Sequence, residues 1–154
     1  MGIFRYWPEN VPESVAGIPR ILDGDSIRIN GEEVRLVGID APERRQMCQK
    51  GGRNWACGVV AAEALREYVA GRPVSCAVEG VDKYDRLLGR CQSSISRELN
   101  GWMVEQGWAV SFGDYHAAEQ RARAARRGIW GSTFERPRNW RDEHLKGVAS
   151  DAAS

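Results

Sequence analysis

The chain is poor in the features that usually betray a function. Over 154 residues it has a formal net charge of only +1, two histidines (His116 and His144) and four cysteines. A nearly even balance of charge excludes a polyanion clamp of the histone or repressor-arm kind, whose affinity rests on an excess of Lys and Arg. No run approaches the roughly 20 apolar residues that a membrane-crossing helix needs. Met1 to Asn10 contains no apolar segment of the secretory-leader type. There is no Cys-x-x-Cys, and the two histidines lie far apart, which argues against zinc. Internal repeats and low-complexity stretches are also missing. The length suits one soluble domain, able to bury about two thirds of its unfolded surface around one core.

What is present is concentrated in a few places. Cys48 and Cys57 bracket Gly51-Gly52, and Cys76 and Cys91 flank a charged turn, so the four fall into two pairs. An even count permits disulfides without requiring them, and buried thiols remain an alternative. From Tyr115 to Lys146, eight bases (Arg121, Arg123, Arg126, Arg127, Arg136, Arg138, Arg141, Lys146) face four acids. That excess could guide a polyanion, although a solvated helix face is the plainer reading.

The densest local signal is a hairpin. Ser26 to Ile29 alternates polar and apolar residues, Asn30-Gly31 is a strong two-residue turn, and Glu32 to Ile39 returns as a second strand. The turn sets Ile29 opposite Glu32, Ile27 opposite Val34, Ser26 opposite Arg35 and Asp25 opposite Leu36, so Asp25 lies diagonal to Arg35. Asp40 would sit roughly 13 Å beyond Asp25 on a straight strand. Gly38 is the residue that can bend the chain back, and Ala41-Pro42 would end the strand. Acids and an arginine gathered at strand ends suit a site that grips a cation and a phosphate together, since a phosphodiester repels nucleophiles until its oxygens are neutralised.

Further along, Pro42 to Gly52 reads as a loop. Arg53 to Ala70 reads as a helix, with Cys57, Ala61, Leu65 and Val69 inward and Gly71 as its stop. Val74–Val78 and Leu87–Gln92 read as antiparallel strands around the turn at Asp82 to Arg86. Asn100–Gln106 reads as a short helix. A third helix is capped by Asp114, with Ala118, Ala122, Ala125 and Ile129 inward. The expected class is α+β, mainly β, a small closed sheet with helices on one side. Residues 1–16 and 145–154 are expected to be loosely ordered, with Phe134 and Trp140 docking the chain to about Arg141.

Leu22-Asp23-Gly24-Asp25-Ser26, Arg35-Leu36-Val37-Gly38-Ile39-Asp40-Ala41-Pro42-Glu43 and Asp82-Lys83-Tyr84-Asp85-Arg86 stand in one order. With Leu99-Asn100, Gly107-Trp108-Ala109 and Ala122-Arg123 leading to Gly128-Ile129-Trp130, they resemble the thermonuclease, or staphylococcal nuclease-like, family from about Gly17 to Trp130. The resemblance implies a five-stranded OB-type barrel with three helices over residues 17–131, an N-terminal extension 1–16 and a C-terminal extension 132–154. It implies Ca²⁺ held by Asp25, Asp40 and the Ala41 carbonyl, with Glu43 as general base. Arg35 and Arg86 would grip phosphate, and Lys83 and Tyr84 would line the nucleotide site. Phe112 or Tyr115 could supply a stacking face, with core packing the plainer reading for Phe112, and Asp23 is divided between supporting the metal ligands and shaping its turn. The implied reaction is metal-dependent hydrolysis of DNA and RNA, single-stranded substrates included, with little sequence preference. It breaks the 5′ P–O bond, leaves 3′-phosphate ends, and is carried out by a monomer.

Each residue also has a plainer reading: turn former for Asp25, strand-end cap for Asp40, loop glutamate for Glu43, solvated charge for Arg35 and Arg86. One position departs from the family pattern, since Asp85 stands where Tyr-Gly-Arg is usual, and its carboxylate could pair with Arg86 or repel phosphate. Arg90 is a possible substitute phosphate ligand, with a strand residue as the plainer reading. Exported relatives share the cysteine layout, so disulfides and a secreted or periplasmic chain with its leader removed are expected, with a cytoplasmic one as the alternative. The rival functions are a non-catalytic OB-type nucleic-acid-binding module and a structural or biosynthetic role.

Overall fold

A computed structural model describes residues 10–144; the expectations for residues 1–9 and 145–154, Trp7 and Lys146 among them, lie outside that range. Asn30 and Gly31 both have positive φ, 52° and 83°, the conformation a two-residue hairpin turn needs. Strands β3 (Ser26–Ile29) and β4 (Glu32–Leu36) therefore pair in the expected register, Ile29 with Glu32, Ile27 with Val34 and Ser26 with Arg35. The Leu36 N–H donates to the Asp25 carbonyl at 2.8 Å, which extends the ladder to the acid.

The sheet has six strands, in the order β1 (Ser14–Gly17), β8 (Val74–Val81), β9 (Leu87–Ser93), β4, β3, β2 (Arg20–Asp23). All neighbours are antiparallel except β4 and β9. This corrects the expected five-stranded closed barrel, because the hydrogen-bond ladder is open. Its two edge strands, β1 and β2, are consecutive in the chain and separated only by Ile18-Pro19. So short a link forces the edges to approach, and the sheet rolls without a paired seam. An OB-like architecture is preserved in broad outline.

Helix α1 (Cys57–Val69) buries Ala61, Ala62, Leu65 and Val69, and α2 (Leu99–Glu105) buries Leu99, Met103 and Val104. They close the core over Ile27, Ile29, Val34 and Leu36, all fully buried. The Tyr68 and Trp102 rings stack at 3.8 Å and tie the two helices at their outer edge. Asn100 is completely buried and satisfies three backbone groups: it donates to Val37 and Gly89 carbonyls and accepts from the Cys91 N–H. That side chain clamps the point where β4 leaves β9.

Helix α1 starts later than the sequence suggests. Gly51 and Gly52 adopt φ of 59° and 76°, turning β6 (Cys48–Lys50) onto β7 (Arg53–Trp55) as a separate hairpin. Cys48 is disulfide-bonded to Cys57, and Cys76 to its direct cross-strand partner Cys91. By the chain-entropy model the second link, closing 15 residues, is worth about 3 kcal/mol. Helix α3 (His116–Ala124) is not capped by Asp114, whose carboxylate accepts the Tyr115 N–H instead. Ala118 and Ala122 are buried as expected, but the helix stops before Ala125, which is exposed; Arg126 and Gly128 at φ of 54° and 55° break the spiral, and Ile129 sits in a 3₁₀ turn, η1 (Gly128–Gly131). A further helical segment spans 137–144, one more than expected.

Candidate active site

The acids meet because of two glycines. Gly38, at φ 85°, turns the chain out of β4, and β5 (Ile39–Asp40) pairs instead with β10 (Val110–Ser111). This is the bend that brings Asp40 back towards Asp25. Gly24 lets the Asp23–Asp25 turn settle against it, since a Cβ at Gly24 would lie 2.8 Å from the Ala41 Cβ. The result is a direct bond from the Ala41 N–H to Asp25 Oδ2 at 2.8 Å.

Arg35, rising from β4, lies between the two carboxylates. Its Nη1 is 3.1 Å from Asp25 Oδ2, and its Nη2 donates to Asp40 Oδ1 at 3.4 Å. Glu43 follows on a tight loop whose backbone is held twice by Gln46, through N–H donation to the Glu43 carbonyl at 2.8 Å and side-chain acceptance from the Glu43 N–H at 3.2 Å. Gly58, in the first turn of α1, lies under that loop with no room for a side chain, because an added Cβ would stand 1.8 Å from the Glu43 carbonyl oxygen.

Sequence reasoning missed the residue that joins these acids. Arg141, on the helical segment 137–144, donates through Nη1 to Asp40 Oδ1 at 2.8 Å and Glu43 Oε1 at 3.0 Å, and through Nη2 to Asp40 Oδ2 at 3.2 Å. It was visible only as one base in a basic stretch. Gln46 and Gly58 were missed too, and no local pattern marks them.

The cluster is electrostatically tight. Burial, then the charges of Asp25 and Glu43, push the Asp23 carboxyl up to about 7, and its Oδ1 is buried with no hydrogen-bond partner among the described residues. Burial also raises Asp40 and Glu43 above the ordinary carboxylate range, against the hydrogen bond from Arg141. Burial alone would lower the Arg141 guanidinium, but its bonds to Asp40 and Glu43 outweigh this and hold its proton.

Asp23, Asp25, Arg35, Glu43 and Arg141 line a cleft of about 840 Å³, with Asp40 buried behind them, and the same cleft reaches Lys83, Tyr84, Asp85, Arg86 and Phe112. The turn carrying them is organised by buried Asp82, whose Oδ1 accepts the Tyr84 and Arg86 N–H groups and whose Oδ2 accepts Arg86 Nε at 2.8 Å. Arg86 thus lines the cleft without joining the Asp25–Asp40 cluster, and its other acidic neighbour is Glu33 at 3.8 Å, with Asp85 not among its ion-pair partners. Lys83 Nζ and the Arg86 guanidinium lie 5.2 and 5.4 Å from the exposed Tyr84 ring. Asp85 itself adopts φ 64°, the left-handed conformation that glycine takes most readily. Arg90 bonds Glu79 and Tyr115 and pairs with Asp114, and neither Arg90 nor Tyr115 lines the cleft.

The donor chemistry fits a hard divalent cation: oxygen only, largely buried, with an unpartnered carboxylate oxygen on Asp23 beside the pair. Among the described residues no three acid, histidine or cysteine side chains form a ready metal cage. Asp25 and Asp40 would therefore need backbone carbonyl and water to complete a shell, a mixture Ca²⁺ accepts.

Comparison with known proteins agrees with the geometry. The model of the family described as staphylococcal nuclease homologue matches residues 33–132, which run from β4 through η1 and so take in Arg35, Asp40, Glu43 and the Arg86 turn. A succinoglycan biosynthesis protein, ExoI, of Rhizobium meliloti (strain 1021) is 38% identical over 125 residues, covering 77% of this chain and 65% of that protein, so the match spans just under two thirds of its length. An uncharacterized endonuclease of Escherichia coli O157:H7 is 30% identical over 134 residues, covering 80% of this chain and 82% of its own. A probable endonuclease, LCL3, of Debaryomyces hansenii is 32% identical over 131 residues, covering 74% of this chain and 54% of its own. Among the described residues no helix is long and apolar enough to cross a membrane. Taken with the acids, arginines and cleft described above, these matches show that the chain belongs to the staphylococcal nuclease homologue family.

Proposed function

We propose that this protein is a Ca²⁺-dependent phosphodiesterase that hydrolyses DNA and RNA with little sequence preference. The observation that carries the reading is that Asp25, Glu43 and Arg35, with Asp40 buried against Arg35, share one cleft with Arg86, Lys83 and Tyr84. Asp25 and Asp40, with the Ala41 carbonyl, would hold the ion. Bound there, Ca²⁺ would supply positive charge to the phosphate oxygens. Glu43 lies beside them, placed to orient water and accept its proton. Arg35 and Arg86 offer planar forks to the phosphate from two sides as charge builds on its oxygens. Tyr84, exposed and flanked by two cations, offers a base a ring face that tolerates any sequence. The family's endonuclease-named relatives support hydrolysis of nucleic acid, and the two disulfides support an exported, oxidising setting.

One observation favours a second reading, a nucleic-acid-binding module without catalysis: a guanidinium, Arg141, already sits on two of the acids. Arg35→Ala separates the two. Removing such a donor costs about 10² to 10³ in rate, so the enzyme reading expects that loss, with the circular dichroism spectrum unchanged. A wild type that binds but never cuts denatured DNA would favour the module.

A further inference from the structure

Arg141 does more than line the cleft. It takes both oxygens of Asp40 and one of Glu43, and Asp40 Oδ1 is shared with Arg35. Asp40 is almost fully buried, at 1% exposure, so it has little access to water as a substitute partner. A Ca²⁺ ligand distance is about 2.3–2.6 Å. An ion at that distance from Asp40 would stand beside the guanidinium that holds the same oxygens, and two cations in a poorly screened pocket repel. Arg141 and a metal therefore compete for one carboxylate.

The segment that carries Arg141 is attached so that it can yield. Its root is fixed: the Gln46 side chain donates to the Glu135 carbonyl at 2.7 Å, and Thr133 pairs with Gln49. Beyond that root, Arg141 makes the hydrogen bonds that run from residues 137–144 to residues 10–134; the bond of His144 with the Trp140 carbonyl stays within the segment, and that of Glu143 goes back to Glu135 at its root. Its remaining hold is burial of Pro137 at its start and of half-buried Trp140, which lines a shallow groove together with Met47 and Phe134. Freeing Arg141 would leave the fold of the domain unbroken.

We infer that Arg141 is a tethered counter-cation that neutralises the acid cluster when no metal is bound and must leave Asp40 for Ca²⁺ to enter, so that it sets the metal affinity of the site. This rests on the reading of Asp25 and Asp40 as the Ca²⁺ ligands. In that role Arg141 supplies positive charge to a buried pair of carboxylates beside Glu43 and Asp23, since unpaired buried charges are costly.

The test is calorimetric titration of the metal-free protein with Ca²⁺, without substrate, for wild type, Arg141→Gln, Arg141→Lys and Arg126→Gln. Arg126→Gln removes the same charge at an exposed position outside the cleft and serves as the control. Arg141→Gln should bind Ca²⁺ about tenfold or more tightly than wild type, in line with the usual net strength of charged hydrogen bonds. Arg141→Lys should fall between, because it keeps the charge and loses the fork, and Arg126→Gln should match wild type. Hydrogen exchange offers a second readout that needs no variant: Ca²⁺ should speed exchange of the wild-type amides at 138–144. Equal Ca²⁺ affinity in wild type and Arg141→Gln, or slower exchange with Ca²⁺, would overturn the role of Arg141 while leaving the metal ligands in place. Absence of Ca²⁺ binding in every variant would overturn the metal reading itself and Arg141's role with it.

Discussion

Gly58 offers a sharp test of how Glu43 is placed, because it is buried in α1 and does not line the cleft. Its missing side chain makes room for the Glu43 backbone, and Gly58→Ala puts a Cβ 1.8 Å from the Glu43 carbonyl oxygen and 2.9 Å from that of Arg44. Real Cβ atoms essentially never come closer than 3.0 Å, so the Glu43 loop must retreat by at least about 1.2 Å. Two terms act on stability. Alanine favours a helix over glycine by about 1 kcal/mol, whereas forced overpacking costs about 1–3 kcal/mol, so the net loss should stay below about 2 kcal/mol and the protein should fold. The effect on chemistry is larger, because misplacing a catalytic group by about 1 Å can cost 10²-fold. The assay is the initial rate of cleavage of heat-denatured DNA with saturating Ca²⁺, beside a melting curve and Ca²⁺ titration of the same sample. The expected pattern is a rate lower by about 10², a small fall in Tm, and Ca²⁺ affinity within a few-fold of wild type. A Gly58→Ala protein that folds and cuts at the wild-type rate would refute the claim that the α1 contact sets Glu43's position.

Asp23, pushed to about 7 by burial and by its acidic neighbours, holds its proton in the folded state and loses it near pH 4 when unfolded. In chelator, the stability linked to this proton should therefore fall as pH rises from about 4 to about 7 and stay low above that. Asp23→Asn should raise Tm at pH 8 and leave it nearly unchanged at pH 4; a gain equal at both pH values would contradict the assignment. Asp85→Gly relieves a left-handed aspartate and removes a carboxylate from the cleft. It should be neutral to mildly stabilising, by up to about 1 kcal/mol, and should tighten binding of a short oligonucleotide, a result read by thermal melting and fluorescence anisotropy; weaker binding would show that Asp85 assists the substrate.

The half of the site built on the hairpin was legible because its information is local. Asn30-Gly31 fixes a register, the register places Asp25 near Arg35, and Gly38 supplies the bend that spacing demanded. What was illegible depends on distant chain. Arg141 reaches Asp40 across 101 residues, and nothing near it distinguishes it from Arg138 or Arg136. The β6–β7 hairpin was read as a loop and a helix start because Gly51-Gly52 carries no alternation beside it. The open sheet was unreadable for a similar reason, since a seam between β1 and β2 is decided by how far the roll closes and not by any residue in either strand. Asp114 was one position too early to cap α3, because Tyr115 takes the left-handed turn that starts the helix.

The most direct test of the central claim is degradation of a labelled single-stranded oligonucleotide by the purified protein, with millimolar Ca²⁺ or with excess chelator, using Glu43→Gln prepared in parallel to exclude a contaminating nuclease. The account predicts Ca²⁺-dependent products with 3′-phosphate ends that the variant makes at least about 10² more slowly. Equal cleavage by both proteins, or none by a folded wild type with Ca²⁺, would contradict it.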